Sequence, residues 1–217
     1  MIVRSACFSR LSCPLLAVVF SAVAMCGVSA VNAEEQVSVC FNYSCVAQAD
    51  VVFSDEQLGE LGHGLGRAHT PVEEREAIGE AVGRLLGWAG QQSPIFADRG
   101  GNYADDAIYG RMDCIDHSTT TTRLLRLLER RGLLRFHRVL EPVRRLRFLA
   151  LQHYSAVVEE IGQGGVERNE REDRDDGGDE APARFVVDSW FFDNGHPAVV
   201  MLLDAWMSGE GPNGYDE

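Results

Sequence analysis

Three residue types in chain order could perform thiol chemistry here: Cys114, His153 and Asp188. Cys114 directly follows Asp113, a strong N-cap residue, which places the thiol in the first turn of a helix. Unpaired backbone N–H groups and the positive end of the dipole favour a thiolate at such a position, so Cys114 is a candidate nucleophile. A nucleophilic thiol needs a base, and the base needs a group to orient it. Of the six histidines, His63 and His69 lie in or beside a glycine-rich segment, and His117 is a polar neighbour on the Cys114 helix. His137 is expected to point outward between Arg135 and Arg138, and His196 to be exposed after a turn. His153 opens the run His153-Tyr-Ser-Ala-Val-Val, on one strand face with Ser155 and Val157. Asp188 ends the apolar run Phe185-Val186-Val187, and a carboxylate there is costly unless a neighbouring strand pairs it. A metal site built from Cys114, His117 and a nearby carboxylate has the weakest spacing.

The elements that must position these groups read as an α+β plan. A glycine-rich helix over 54–66 is capped by Ser54 with Gln57. A second helix starts at the capping box Thr70-Pro-Val-Glu73, with an apolar face of Val72, Ile78, Ala81, Val82, Leu85, Leu86 and Ala89. Residues 91–112 read as loop, and the Cys114 helix runs to Arg131 with Gly132 as its stop. Four strands then follow: Leu134–Leu140, ended by Glu141-Pro142; Leu149–Glu160; Phe185–Phe192; and Ala198–Leu203 after the turn Asp193-Asn194-Gly195. The expected architecture is N-terminal helices and a nucleophile-bearing helix packed on an antiparallel sheet. Thr119–Thr122 is expected to pack under that sheet. Residues 164–183 hold eight acids and three arginines with almost nothing apolar, and read as a disordered acidic insertion.

The run Met112-Asp113-Cys114-Ile115-Asp116-His117, leading into a leucine-rich helix, resembles the Gly-Asp-Cys-Glu-Asp-Tyr segment of bacterial transglutaminase-like cysteine proteinases. His153–Val158 resembles that family's histidine strand, and Ala183–Trp190 its aspartate strand. The resemblance rests on three short motifs in order between about residues 75 and 192. It implies a papain-like or transglutaminase-like core, with Cys114 as nucleophile, His153 as general base and acid, and Asp188 as orienting carboxylate. Met112 stands where the family has glycine and Ser189 where it has asparagine. Ile115 replaces an acid that can help hold calcium, so no cofactor is expected and a calcium site is in question. The implied activity is hydrolysis of amide bonds in proteins or cell-wall peptides through a thioester acyl-enzyme. Acyl transfer to an amine, or an inactive fold kept as a binding module, are the alternatives. The Cys114 N–H could serve the oxyanion. For a second donor or substrate contact the upstream candidates are Gln91 and Asn102, with Gln92 and Trp88 behind them.

Composition narrows these options. The 217 residues carry 20 basic and 33 acidic side chains, net −13, and every base is arginine. Without lysine there is no phosphate-binding loop of the Gly-Lys-Ser type and no Schiff-base chemistry. The acidic balance argues against a nucleic-acid partner. Nine arginines between Thr122 and Arg147, against Glu129 and Glu141, read as a solvated face. Residues 1–33 read as an export signal: Arg4 and Arg10, an apolar run Leu15–Val28, then Val31-Asn-Ala33. Cleavage would leave 34–217 as one domain, periplasmic or secreted; without cleavage the segment is long enough to anchor the chain in a membrane. In an oxidising compartment Cys40 and Cys45 could pair through a turn near Asn42-Tyr43, or remain two buried thiols, and either way Cys114 is left over.

Overall fold

Strict alternation of apolar residues, Val37, Val39, Phe41 and then Ala47, Ala49, Val51, Phe53, builds a hairpin at the start of the described chain. Its strands are β1 (Glu35–Phe41) and β2 (Ala47–Phe53), paired antiparallel with Val39 opposite Ala49. Val37, Val39, Phe41, Val51 and Phe53 enter the main core. The computed structural model describes residues 34–101, 105, 107–147, 151–161 and 181–212. These belong to one compact unit, Asn32–Glu217. Residues 1–33, where an export signal is expected, Asn102 and nearly all of the acidic 164–183 stretch lie outside the described residues.

The helices begin where their capping residues place them. Helix α1 (Asp55–Gly66) carries the full Ser54–Gln57 capping box. Helix α2 (Pro71–Gly90) is capped by the Thr70 hydroxyl, but Glu73 turns its carboxylate to the His69 N–H. Val72, expected on the apolar face of α2, is 56% exposed because it sits in the first turn, ahead of the contact with the core. A 3-10 turn follows at Pro94–Ala97. Helix α3 (Cys114–Arg130) is capped by Asp113, whose carboxylate accepts from the Asp116 N–H while Asp116 reaches back to the Asp113 N–H. It stops at Gly132, whose φ of +66° is a conformation that glycine adopts without a Cβ penalty.

A four-stranded antiparallel sheet, in the order β3-β4-β5-β6, follows α3: β3 (His137–Arg147), β4 (Leu151–Glu160), β5 (Arg184–Asp188) and β6 (Val199–Leu202). The chain is thus α+β with antiparallel sheets, closed by the short helix α4 (Leu203–Met207). Two expectations about β3 are corrected. It begins at His137 instead of Leu134, and Glu141-Pro142 bends it without ending it. The register shifts between Leu140 and Val143, and a bulge accommodates a proline that cannot donate to the ladder. His137 is also buried rather than outward, because the buried Glu74 of α2 accepts its Nδ1 at 2.8 Å. Glu74 also takes the N–H groups of Arg135 and Phe136 at 2.7 and 2.8 Å.

Ala156, Val158, Phe185 and Val187 face the main core with Leu124, Leu125, Leu127 and Leu128 of α3. Val157 and Val186, on the other face, pack with Trp206 of α4. Covering both faces of a sheet lets polar groups be buried at its end, where β4 opens and β5 stops.

Candidate active site

The strand register brings His153 and Asp188 together. Ala156 pairs with Val187, so Asp188 comes level with Ser155, and His153 lies two residues along on the same face. His153 Nε2 meets Asp188 Oδ2 at 2.8 Å, with both side chains almost wholly buried. The same Oδ2 accepts the indole N–H of Trp206 at 3.0 Å, and Oδ1 accepts the Trp190 backbone N–H at 3.1 Å. Burial alone would raise the Asp188 pKa; the His153 charge and hydrogen bond, then the Trp190 and Trp206 donors, bring it below the usual carboxylate value.

For His153, burial alone would lower the pKa. The Asp188 charge and hydrogen bond outweigh it, with a further contribution from Cys114, and raise the value to about 9. The imidazole is therefore protonated at neutral pH. Its ring is enclosed by Trp190 at 4.9 Å, Trp206 at 5.5 Å and Phe191 at 5.8 Å between centroids. Arg145, opposite His153 on β3, is buried with its guanidinium 4.5 Å above the Trp206 ring and bonds the Trp206 and Glu210 carbonyls. This arginine of the expected solvated face instead clamps α4 over the histidine.

Cys114, the free cysteine among the described residues, is half-buried at the start of α3. Its Sγ lies 3.9 Å from the carbonyl of Gln152, the residue before His153. Nδ1 of His153 is buried and makes no hydrogen bond of ordinary geometry among the described residues. With Nε2 committed to Asp188, Nδ1 is the nitrogen left for the thiol. Such contacts commonly tighten only when a substrate is bound. The Cys114 backbone N–H, at the first helical position, has no intrahelical partner.

Around this trio lie groups that the sequence reading did not use. His117, one turn into α3, accepts or donates at Ser189 Oγ through Nδ1 at 2.9 Å, and its Nε2 faces the Asp98 carboxylate at 3.0 Å. Thr121 also bonds Ser189 Oγ, at 2.9 Å, and Met112 N–H bonds Asp98. This buried chain ties α3 to the residue after Asp188. His117 thus ties elements together, and among the described residues it forms no group of metal-ligating side chains with Cys114. Nothing in the sequence near Asp98, Ser189 or Trp206 signalled such a network, because its partners are distant in the chain.

The hairpin tip docks on the start of α3. Cys40 and Cys45 are bridged, with Cα atoms 4.7 Å apart, and the turn spans Asn42–Cys45. All four of those residues have positive φ, 55° to 66°. Each such non-glycine residue costs roughly 1–2 kcal/mol. The strained run is held by what it grips. Tyr43 and Cys45 N–H groups bond the two Asp116 oxygens at 2.8 and 2.6 Å, and Ser44 N–H bonds Asp113 at 2.8 Å. Asn42 bonds Gly110 and the Arg111 carbonyl, and the Tyr43 hydroxyl bonds Asp105. Gly110, at φ +93°, passes so close to the Pro94 carbonyl that a Cβ would clash. Burial, then the neighbouring Asp113 charge, pushes the Asp116 pKa up to about 6 against the backbone donors. Thr120 and Thr121 are buried as expected, Thr120 accepting the Cys40 N–H.

Gln91 and Gln92 are not brought to the trio. Gln91 is exposed at the C-terminus of α2, and the Gln92 amide bonds both backbone groups of Val52 on β2. Trp88 is packed against the main core under Arg84. Cys40, Cys45 and an Asp116 oxygen lie within 4.8 Å of one another, but two bonded sulfurs are not free thiolate ligands. Among the described residues no helix is long and apolar enough to cross a membrane. A scan against protein-family models, a search of curated proteins and a search of solved structures each returned no match to this chain.

Proposed function

We propose that this chain is an exported, thiol-dependent hydrolase of amide bonds, with a transglutaminase-like or papain-like core and a Cys114–His153–Asp188 site. The observation that carries the reading is the buried His153–Asp188 pair, 2.8 Å apart, beside a free cysteine at a helix start. The Cys114 thiolate attacks the carbonyl carbon and forms a C–S bond, and the Cys114 N–H bonds the oxyanion. The C–N bond then breaks as the His153 imidazolium gives its proton to the leaving amine. Water, deprotonated by His153, attacks the thioester; the C–S bond breaks and the acid leaves. Asp188 holds the ring so that Nδ1 faces the sulfur throughout. Substrates are proteins or cell-wall peptides; no step calls for a cofactor.

Alkylation of Cys114 across pH tests the site. The expected result is fast labelling at neutral pH, slowed by about tenfold in His153→Ala, as a thiol with a free pKa of about 8.5 is mostly protonated at neutral pH. Equal rates in the two proteins would sink the catalytic reading. With a peptide library, an added amine that yields no exchange product in excess of hydrolysis separates hydrolase from transferase.

A further inference from the structure

The bridge between Cys40 and Cys45 joins two sulfurs in unlike surroundings. Cys40 is wholly buried, and the Arg123 guanidinium stands 3.5 Å from its Sγ. Arg123 is fixed there by the Ser38 carbonyl at 2.9 Å and Gln48 at 3.1 Å. Cys45 is only half-buried and sits between exposed Ser44 and Val46, the latter 81% exposed. Thiol–disulfide exchange proceeds by attack on the accessible sulfur and is faster when the departing thiolate is stabilised. Access selects Cys45 for attack, and the arginine selects Cys40 as the leaving group. The Asp116 carboxylate is within 4.8 Å of both sulfurs and disfavours a thiolate at either, so it does not choose between them.

We propose that Cys40–Cys45 is a redox-active bridge: an external thiol enters at Cys45, and its opening releases the hairpin tip from the helix start that carries Cys114. In the first step a thiolate attacks Cys45 Sγ. A mixed disulfide forms, the Cys40–Cys45 bond breaks, and its electron pair leaves on Cys40 beside Arg123. A second thiolate attacks the incoming group's sulfur, frees the Cys45 thiolate and yields the external disulfide. The protein gains two electrons and the small thiol loses them.

The coupling follows from the backbone. The bridge closes a run of four left-handed residues whose N–H groups converge on Asp113 and Asp116. Opened, those residues relax to the conformations L-residues prefer, and the N–H groups no longer converge. Asp113 is the cap of α3 and Cys114 its first residue. This second half rests on the catalytic reading of Cys114; the exchange site does not.

The test treats the oxidised full chain with glutathione at neutral pH, quenches in acid and maps thiols by peptide mass. The expected products are glutathione on Cys45 with a free Cys40. Arg123→Gln should slow opening several-fold, while Arg123→Lys keeps the rate. Glutathione on Cys40, no adduct at the bridge, or an Arg123→Gln protein as fast as wild type would each overturn the site. For the coupling, alkylation of Cys114 is compared in oxidised wild type and in Cys40→Ser/Cys45→Ser that remains folded by circular dichroism. A several-fold change supports the coupling and unchanged labelling overturns it. If instead His153→Ala leaves Cys114 labelling unaltered in the oxidised protein, the catalytic reading fails while the exchange result keeps its meaning.

Discussion

Asp188 does two things at once for His153: it fixes the ring through Nε2 and supplies the charge that keeps it protonated. Asp188→Asn retains the shape but removes that charge. In the proposed mechanism, the proton that His153 gives to the leaving amine should then be lost at lower pH. The alkaline limb of acylation is expected to move from about 9 toward the ordinary histidine value of about 6.5. A pH–rate profile, with NMR titration of the His153 ring, reads the shift; an unmoved limb would mean that Asp188 does not set the histidine. That His153 and Asp188 should meet was legible from a strand-end carboxylate that needs a partner, whereas joining Cys114 to them rested on the family resemblance. Gln91 was not separable from a real oxyanion donor, since only the tertiary path of α2 turns it away.

At the scale of elements, short pieces of chain complete the site. Helix α4 has five residues and would not be stable alone, yet it delivers the Trp206 indole to Asp188. Trp206→Phe keeps a ring against His153 and deletes the donor to a buried carboxylate. It is expected to cost roughly 1.5–3 kcal/mol of stability, the worth of a hydrogen bond to a charged group, with a loss in acylation rate. Denaturant unfolding beside the acylation assay checks both; a neutral substitution would reduce α4 to packing. Glu74 plays the matching part between α2 and β3. Glu74→Ala strands the Arg135 and Phe136 N–H groups and the His137 ring, for an expected loss of about 3–5 kcal/mol by urea unfolding. Glu74→Gln, which keeps an acceptor, should lose less.

Over the whole molecule, three buried groups give stability a defined pH profile. His153, raised to about 9, contributes stability fully present below its unfolded value of 6.5 and lost as pH rises through 9. Asp188, lowered, contributes stability present above 3.8 and lost as pH falls through its folded value. Asp116, raised to about 6, is the reverse of Asp188: its contribution is present below 3.8 and lost as pH rises through 6. Urea midpoints should therefore peak on the acid side of neutrality and fall steeply toward pH 9. Asp116→Asn should flatten the slope between about 4 and 6 without touching the alkaline fall, and an unchanged acid slope would remove Asp116 as its source.

By itself the sequence determined the α+β class, the caps of α1, α2 and α3 and the stop at Gly132, because these depend on local periodicity and side-chain chemistry, but it missed the β1–β2 hairpin that precedes the expected N-terminal helices. It left the Cys40–Cys45 pairing open. Tertiary structure decided that the cysteines are joined, that His137 and Arg145 are buried, and that His117, Asp98, Trp206 and the hairpin tip surround the trio. Apart from the bridge, whose cysteines are five residues apart, each of those depends on a partner dozens of residues away. For a buried polar group, the identity of that partner decides whether burial is tolerable.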